Sequence, residues 1–331
     1  MKKPVIVLFG PTASGKTAVI ERLAKRLDKL EIISADSMQV YRGMDIGTAK
    51  PSLVERAKIP YHLLDIRNPN EQFNAGDFVR LAEEACLDIS SRGALPLVSG
   101  GTGFYLKNLV SGLSQAPPSD ETIRRQLKEE LEQRGPIPLM EELSKADPVS
   151  SSRIHINDSY RLLRALEVFR LCGRPLSSFA SPWSSSGAQS AQCGRSGHCN
   201  SGGNSRFLLA GLRRNREELY RRINARCAAM FKAGLKDEVK RLYEAGYTPS
   251  DPGLRAIGYR EFFVEDETSA IIGSWRLSED LAGVEALVAQ NSRHYAKRQI
   301  TLFASLPGVK WIDCGDDDDE TANEIYREWG V

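Results

Sequence analysis

Short apolar runs and longer stretches of helical spacing alternate over the first hundred residues of the chain. Residues 5–9 form a compact apolar run that ends in a glycine-rich turn, and apolar positions then recur at helical spacing from about 17 to 30. Another short run at 32–33, a helical stretch at 78–89 and a buried run at 95–98 continue the alternation. This pattern predicts βαβ units and therefore an α/β fold, with a parallel, doubly wound sheet covered by helices on both faces.

The pattern changes after residue 113. Charged helical stretches follow one another with no strand between them, at about 120–134, 137–145 and 157–171. They predict a helical insertion domain over 114–205, which leaves 1–113 and 206–331 as the α/β core. The serine- and glycine-rich tract at about 177–205 holds too few apolar residues to pack, so we expect a mobile loop there.

The pattern of the core returns after the insertion. Apolar runs at 207–211 and 309–312 predict two further strands of the sheet. Long helical stretches lie between them, at about 215–246, 252–264 and 279–306. Residues 313–331 then form an acidic tail.

Composition and charge narrow the class of protein. The 331 residues are 41% hydrophobic and 27% charged, as in an ordinary globular protein large enough for two domains. The net charge of +2 and the pI of about 8.2 do not by themselves indicate a nucleic-acid partner. The charge is uneven, however, because residues 313–331 hold eight acidic side chains and one arginine. Residues 1–312 therefore carry a net charge of +9.

Neither a targeting segment nor a membrane span is indicated. The apolar run near residue 5 is too short for a signal peptide, and no apolar stretch reaches the length of a span. The six cysteines are scattered without a CxxC pair, which suits free thiols in a reducing cytoplasm. We therefore expect a cytoplasmic protein with no membrane partner. Cys193, His198 and Cys199 match no standard zinc spacing and lack a fourth ligand, so we expect no zinc site.

A glycine-rich turn separates the first predicted strand from the first predicted helix. It fits the phosphate-loop pattern G-x-x-x-x-G-K-[ST] and consists of Gly10, Pro11, Thr12, Ala13, Ser14, Gly15, Lys16 and Thr17. The backbone N–H groups of such a turn and the helix N-terminus cradle a di- or triphosphate. Lys16 supplies a positive charge and Thr17 a hydroxyl ligand for Mg²⁺. The motif predicts phosphate binding but does not identify the molecule that carries the phosphate.

Two further segments are expected at the same edge of the sheet. Asp36 follows the second predicted strand, where the ligands of open α/β sheets collect. It is a candidate Mg²⁺ ligand, a candidate general base or a solvated turn residue. Thr102 lies within Gly100–Gly103, after a later strand, with its hydroxyl expected at the same crevice. A plain strand-to-helix turn is equally compatible with this weak motif.

Basic side chains are grouped in three places along the chain. The groups are Arg161 with Arg164, the arginines between 206 and 226, and Arg293 with Lys297 and Arg298. A single run of this kind is more often a solvated face than a binding site. Three of them in a chain with a phosphate site favour a polyanionic partner.

Several motifs together carry a family resemblance. After the phosphate loop come 34–51 (SADSMQVYRGMDIGTAKP), 62–66 (HLLDI), 100–105 (GGTGFY), 161–168 (RLLRALEV), 253–261 (GLRAIGYRE) and 295–301 (YAKRQIT). In this order, from residue 4 to about 312, they closely resemble the bacterial tRNA dimethylallyltransferase family. The resemblance implies a P-loop nucleoside-triphosphate-hydrolase-like fold. It also implies transfer of a dimethylallyl group from its diphosphate to N6 of adenosine 37, next to the tRNA anticodon.

The resemblance also implies roles for single residues. Asp36 would accept the proton of the attacking amine, Thr102 would lie near the flipped base, and Arg216 would contact the diphosphate. The implied tRNA contacts are Asp36, Ser37, Met38, Gln39, Thr102, Arg124, Tyr160, Arg161, Leu162, Leu163, Arg164, Arg255, Arg260, Arg293, Lys297 and Arg298. Tyr160 stands where a glutamine is common, and the tract at 180–205 fits no family motif. The implied partners are the anticodon stem-loop of tRNA and dimethylallyl diphosphate, with Mg²⁺ as cofactor, and we expect a monomer.

Three other functions stay open on the residues alone. A small-metabolite kinase would use the same loop on ATP, with Asp36 activating a hydroxyl. A prenyltransferase acting on free adenylate would share the donor site but would not need three basic groups. An RNA-binding protein switched by a nucleoside triphosphate is the alternative that is not an enzyme, although no guanine-reading motif is present.

Overall fold

The chain divides into two compact units, one of residues 1–110 with 204–331 and one of residues 111–203. The computed structural model describes residues 5–179, 207–267, 273–315 and 317–329. The zinc candidates, Arg206 and all but the first three residues of the expected mobile loop lie outside the described residues. The domain boundaries expected at 113 and 206 stay a prediction.

The larger unit is built on a parallel six-stranded sheet. The strands in the described residues are β1 Val5–Phe9, β2 Leu30–Ser34, β3 Tyr61–His62, β4 Leu95–Gly100, β5 Phe207–Arg213, β6 Phe263–Glu265, β7 Trp275–Leu277 and β8 Lys310–Asp313. The sheet has the order β3-β2-β4-β1-β5-β8, while β6 and β7 pair separately and antiparallel. Every residue of β1, β2 and β4 is buried, as expected for strands between two layers of helices. The predicted fold class is confirmed.

Helices surround the sheet and form the second unit. In chain order they are α1 Lys16–Ala24, α2 Leu53–Lys58, α3 Ala75–Ser91, α4 Gly103–Ser111, α5 Glu121–Arg134, α6 Pro136–Ala146, α7 Pro148–Ser151, α8 Ser159–Cys172, α9 Arg216–Lys232, α10 Leu235–Glu244, α11 Leu281–Phe303 and α12 Asp318–Trp329. The second unit contains α5 to α8. Among the residues that the structure describes, no helix is long and apolar enough to cross a membrane.

The acidic tail of the sequence contains a helix that belongs to the core. Ala322 and Ile325 of α12 are buried in one apolar cluster with residues of α1 and of the sheet. Asp319 forms ion pairs with Arg22 and Arg26, at 3.3 and 3.4 Å, which join α12 to α1 and the turn after it. The charged side chains of α12 therefore lie on the outer face of a packed helix.

Two residues with special backbone or side-chain properties fix where the helices beside the phosphate loop begin. Gly15 precedes α1 with a φ of 105°, in the left-handed region that favours glycine. Asn215 caps α9, because its side-chain oxygen accepts hydrogen bonds from the N–H groups of Glu217 and Glu218 at 2.9 and 3.5 Å. The start of α9 at Arg216 decides which of its arginines face the phosphate loop.

Three of the predicted helices differ from the structure. The first ends at Ala24 instead of near residue 30, where β2 begins. The stretch 215–246 is divided into α9 and α10 at Gly234, whose φ of 98° no helix interior accepts. The stretch 252–264 forms two 3₁₀ turns and β6, with Gly258 at a φ of 95° between the turns.

The second unit has an apolar core of its own between α5, α6 and α8. Its buried leucines are Leu127, Leu139, Leu143, Leu162, Leu163 and Leu166. Arg170 of α8 donates hydrogen bonds to Glu130 of α5 and Glu142 of α6, over N–O distances of 2.6 to 2.9 Å. Apolar packing and this charged bridge therefore hold the same helices together.

Candidate active site

The phosphate loop connects β1 to α1, as the sequence predicts. Lys16 Nζ donates hydrogen bonds to the carbonyl oxygens of Gly10 and Pro11, each at 2.9 Å, so its ammonium group lies within the loop. A Cβ atom at Gly10 would lie 2.7 Å from Ser14 Oγ, and only glycine fits this close approach. The loop therefore encloses the Lys16 ammonium group, and phosphate binding by its backbone stays a prediction.

Arginines of α9 and of the segment before it surround the phosphate loop. Arg222 Nε donates to the carbonyl of Ala13 at 3.1 Å, and Arg226 Nη1 donates to Thr12 Oγ1 at 3.1 Å. Arg214 Nε lies 3.5 Å from the carbonyl of Ser14. Since residues four apart share a face of a helix, Arg222 and Arg226 both reach the loop.

Arg216 does not face the phosphate loop, in contrast to the sequence-based assignment. It is the first residue of α9, its side chain is exposed, and its guanidinium lies 5.2 Å from the ring centre of Tyr220. The cavity wall includes Arg222 and Arg226 but does not include Arg216. Arg222 and Arg226 are therefore further candidate cations for a diphosphate, and the assignment of Arg216 stays a prediction.

The charges around the loop perturb one another. Burial and, to a smaller extent, the positive charge of Arg226 lower the pKa of Lys16 to about 8, while the Asp36 carboxylate opposes the shift. Burial also lowers the pKa of Arg226, although a guanidinium stays charged in proteins. A phosphate group bound here would relieve this repulsion between cations, so the loop favours an anionic ligand.

Asp36 and Thr102 lie side by side just beyond the ends of β2 and β4. Asp36 Oδ1 accepts hydrogen bonds from the N–H groups of Met38 and Gln39, at 2.9 and 3.3 Å. Thr102 Oγ1 accepts from the N–H of Ser37 at 2.9 Å and donates to Ser37 Oγ at 3.2 Å. These bonds fix both side chains, and Asp36 Oδ2 is not used in them.

Most of these groups, among them Lys16, Asp36 and the arginines Arg222 and Arg226, line one cavity of about 800 Å³ within the larger unit, whereas Thr102 and Arg214 lie outside its wall. Its wall combines the phosphate loop, Asp36, the segment 47–51 and parts of α9 and α11. The apolar side chains of the wall include Ala13, Met38, Ile223, Cys227, Met230, Ile257 and Val288. A cationic end beside an apolar wall suits a ligand with a diphosphate head and a short hydrocarbon tail.

Glu238 of α10 fixes one wall of the cavity, a role that the sequence patterns did not indicate. Its buried carboxylate accepts hydrogen bonds from the N–H groups of Asp45, Ile46 and Gly47, at 2.9 to 3.2 Å. It also accepts one from the hydroxyl of Tyr259, at 2.6 Å. Since Glu238 and its partners are far apart in sequence, no local motif could indicate this contact.

Glu238→Ala is expected to lower the free energy of unfolding by about 3 kcal/mol, because three backbone N–H groups and a tyrosine hydroxyl lose their acceptor. Chemical denaturation measures the effect. Glu244→Ala, at the exposed end of the same helix, is the control, since its ion pair with Lys240 at 3.7 Å is exposed and worth at most about 1 kcal/mol. Equal losses in the two variants would contradict a structural role for Glu238.

The residues that the resemblance implies as tRNA contacts fall into both units. In the larger unit, Arg255, Arg260 and Arg298 line the same cavity as Asp36, Ser37, Met38 and Gln39. Arg293 donates to Asn224 Oδ1 at 2.6 Å, and Lys297 is exposed. Three of the basic side chains therefore lie at the cavity, whereas Arg293 and Lys297 are not part of its wall.

In the second unit, the implied tRNA contacts divide into exposed and buried side chains. Tyr160 is 70% exposed, and the guanidinium of Arg124 lies 5.1 Å from its ring centre. Arg161 is also exposed and pairs with Asp158 at 2.8 Å. Leu162 and Leu163 are buried in the core, so their side chains hold α8 in place and do not present a surface.

Arg164, a further residue of the second unit that the resemblance implies as a tRNA contact, is bound by neighbouring residues of the same unit. Arg164 donates to the fully buried Glu167 at 2.9 Å, and its other nitrogen donates to the carbonyl of Pro117. Glu167 also accepts from Ser119 Oγ at 2.6 Å. Arg164 therefore ties the start of α5 to α8, a structural contact that the sequence did not reveal.

Two oxygen donors at the cavity suit a magnesium ion. The Thr17 hydroxyl and the Asp36 carboxylate both line it. Mg²⁺ is commonly held by one or two protein oxygens together with phosphate oxygens of a substrate. Across the described residues, no group of three or more His, Cys, Asp or Glu side chains gathers to hold a metal.

Comparison with known families and proteins agrees with this geometry. The family model described as IPP transferase matches residues 39–305, and the model described as isopentenyl transferase matches residues 3–71. A tRNA dimethylallyltransferase 2 of Geotalea uraniireducens is 44% identical over 94% of this chain and 93% of its own. A tRNA dimethylallyltransferase of Geobacter sulfurreducens is 40% identical over 94% of this chain and 92% of its own.

Solved structures give the same result. The chain resembles a tRNA isopentenylpyrophosphate transferase of Bacillus halodurans with a TM-score of 0.65 and 36% identity, over 100% of this chain and 96% of the other. It resembles a eukaryotic dimethylallyltransferase acting on tRNA with a TM-score of 0.74 and 27% identity, over 98% of this chain and 77% of the other. The family resemblance of the sequence motifs is therefore confirmed.

Proposed function

Because the chain belongs to the IPP transferase family, we propose that it transfers a dimethylallyl group from dimethylallyl diphosphate to N6 of adenosine 37 in tRNA. One observation carries this proposal beyond the family. A single cavity joins a cationic phosphate loop, an apolar wall and a fixed carboxylate, Asp36. These are the groups needed for a diphosphate, a prenyl chain and a proton, respectively.

The charges of the cavity support substitution at C1 of the donor. The C1–O bond breaks and its electron pair leaves with the diphosphate, while the N6 lone pair forms the new C1–N6 bond. Lys16, Arg222 and Arg226 would stabilise the negative charge that develops on the leaving group. Asp36 would take the proton that N6 loses, as a general base in contact with the acceptor amine.

The acceptor base must leave its stack to reach the cavity. An adenine N6 within a stacked anticodon loop is not accessible, so the nucleotide has to be extruded into a pocket. Thr102 beside Asp36 is proposed to contact the extruded base. Exposed cations, among them Arg161, Arg255, Arg260 and Arg298, are proposed to bind the anticodon arm, which makes tRNA affinity salt-sensitive.

A magnesium ion is proposed as the cofactor. Thr17 would hold it together with oxygens of the donor diphosphate, which leaves the Asp36 carboxylate free to act as the base. When bound, the ion supplies positive charge that lowers the energy of the leaving diphosphate. Lys16 and the two arginines of α9 supply the remaining positive charge from the protein itself.

The proposed function is tested by incubating the protein with unmodified tRNA, dimethylallyl diphosphate and Mg²⁺. Mass spectrometry of the digested nucleosides should show the mass of one dimethylallyl group added to adenosine. Sequencing of the product should place it at position 37. Product with free AMP and none with tRNA would instead support an adenylate prenyltransferase, and ATP consumption without prenylated product would support a kinase.

The pH dependence of donor use is expected to depend on Lys16. Its pKa of about 8 lies below the ordinary value for lysine. In the free enzyme the positive charge of Lys16 is therefore present below pH 8 and lost above it. We expect kcat/KM for the donor to fall above about pH 8, by up to about tenfold per pH unit, since this ratio reports the free enzyme. The bound diphosphate raises the pKa of Lys16, so kcat should stay level to higher pH.

Steady-state kinetics between pH 6.5 and 9.5 measures both profiles. Lys16→Arg is the control, because a guanidinium keeps its charge over this range. Whatever its absolute activity, this variant should lose the fall above pH 8. A wild-type kcat/KM that stays constant to pH 9.5 would contradict the assignment.

A further inference from the structure

Gln299 of α11 connects the two loops that line the donor and acceptor sides of the cavity. Its Oε1 accepts a hydrogen bond from the N–H of Thr12 in the phosphate loop, at 2.9 Å. Its Nε2 donates to the carbonyl oxygen of Gly101, next to Thr102, at 2.7 Å. Gln299 is only 4% exposed, and because both partners are backbone groups, the orientation of its amide is fixed.

The contact with the acceptor side is tight. A Cβ atom on Gly101 would lie 2.6 Å from Gln299 Nε2, so glycine at 101 is what allows the approach. The next residue, Thr102, donates its N–H to the carbonyl of Ala35 at 3.1 Å and accepts from the N–H of Ser37 at 2.9 Å. Gln299 is therefore connected through Gly101 and Thr102 to Ala35 and Ser37, the residues on both sides of Asp36.

The contact with the donor side is also well defined. Thr12 is held through its N–H by Gln299 and through its hydroxyl by Arg226 Nη1, at 3.1 Å. Tyr295, one turn before Gln299 on α11, also lines the cavity, and burial raises its pKa to about 12. It therefore stays protonated. The Gln299 amide thus holds both loops by uncharged hydrogen bonds.

We propose that Gln299 is a positioning residue that sets the distance between C1 of the donor and N6 of the acceptor. This inference rests on the proposed prenyl transfer. The donor diphosphate is held by the phosphate loop and the acceptor by the segment around Asp36 and Thr102, so a rigid bridge between the two fixes the reacting atoms. Reactions between two bound substrates are sensitive to such placement, and an error of about 1 Å costs about 100-fold in rate.

The test compares Gln299→Leu with Gln290→Leu, the same substitution at an exposed position of α11. The single-turnover rate at saturating donor and tRNA should fall about 100-fold in Gln299→Leu and stay unchanged in Gln290→Leu. The dissociation constants for donor and for tRNA, measured separately, should each change less than about threefold. A loss confined to the rate of the bound complex is not expected from a general loss of folded protein.

A second variant covers the case in which Gln299→Leu does not fold. Gln299→Glu keeps the acceptor for Thr12 N–H but cannot donate to Gly101, so its saturated rate should also fall. Unchanged saturated rates in the folded variants, or a loss that excess donor restores, would overturn the positioning role. Absence of prenylated tRNA with the wild-type protein would instead contradict the proposed function, so the two failures are distinguishable.

Discussion

Asp36→Asn is expected to lower the single-turnover rate of prenyl transfer by about 100- to 10,000-fold while leaving tRNA affinity nearly unchanged. The amide oxygen of asparagine still accepts the hydrogen bonds of Met38 and Gln39, so the segment keeps its conformation. The amide cannot take the proton from N6, however. The variant therefore separates the chemistry of the carboxylate from its role in shaping the loop.

The measurement pairs rapid-quench kinetics with tRNA binding at fixed salt. Asp237→Asn, at an exposed aspartate of α10 in the same unit, is the matched control and should behave as wild type. Equal losses in tRNA affinity and in turnover would count against a base role for Asp36. They would indicate that the carboxylate mainly supports the acceptor site.

Arg226→Met is expected to lower kcat/KM for the donor by about 100- to 1,000-fold. This arginine reaches Thr12 of the phosphate loop, and removing one preorganised donor to a developing negative charge typically costs that much. Methionine keeps much of the apolar length of the side chain, which limits the cavity left behind in the wall.

Arg216→Met is the control for this prediction, since it is the same substitution in the same helix. Its side chain packs on Tyr220 and is absent from the cavity wall, so donor kinetics should change less than about threefold. Steady-state kinetics with varied donor at saturating tRNA distinguishes the two. A larger loss in Arg216→Met than in Arg226→Met would restore the assignment made from the sequence.

The difference between these two arginines shows what the sequence could not provide. The phosphate loop is a local motif whose residues follow one another, so Lys16 and Thr17 could be placed from their spacing. The face that an arginine of α9 presents depends on where the helix begins. Asn215 caps it so that Arg222 and Arg226, one turn apart, point to the loop, and no motif shows that geometry.

Contacts between segments far apart in the chain were the main feature that the sequence did not predict. The strands were predictable because each is a continuous apolar run between helices, and Asp36 was predictable because it follows one of them. Glu238 and Gln299 look like ordinary polar residues of helices. The backbone partners of Glu238 lie 191 to 193 residues away in the chain, and those of Gln299 lie 198 and 287 residues away. Tertiary contacts decide their role, and periodicity does not report them.

The helix within the acidic tail was missed for a related reason. Its charged residues dominate the composition, and the few apolar positions that pack, such as Ala322 and Ile325, are too sparse to predict a core helix. The stretch 252–264 was misread in the opposite sense, because its apolar spacing resembles a helix while Gly258 requires a positive φ. Local propensity was outweighed by backbone conformation there.

The strand order of the sheet has a consequence during protein synthesis. β1 pairs on one side with β4 but on the other with β5, so that Val5 lies opposite Phe207. At about 5–20 residues per second, a ribosome needs about 10–40 s to make the roughly 200 residues between these partners. Through that interval the nascent β1 has at least one unpaired, apolar edge, which is when the growing chain is most exposed to aggregation and to chaperones.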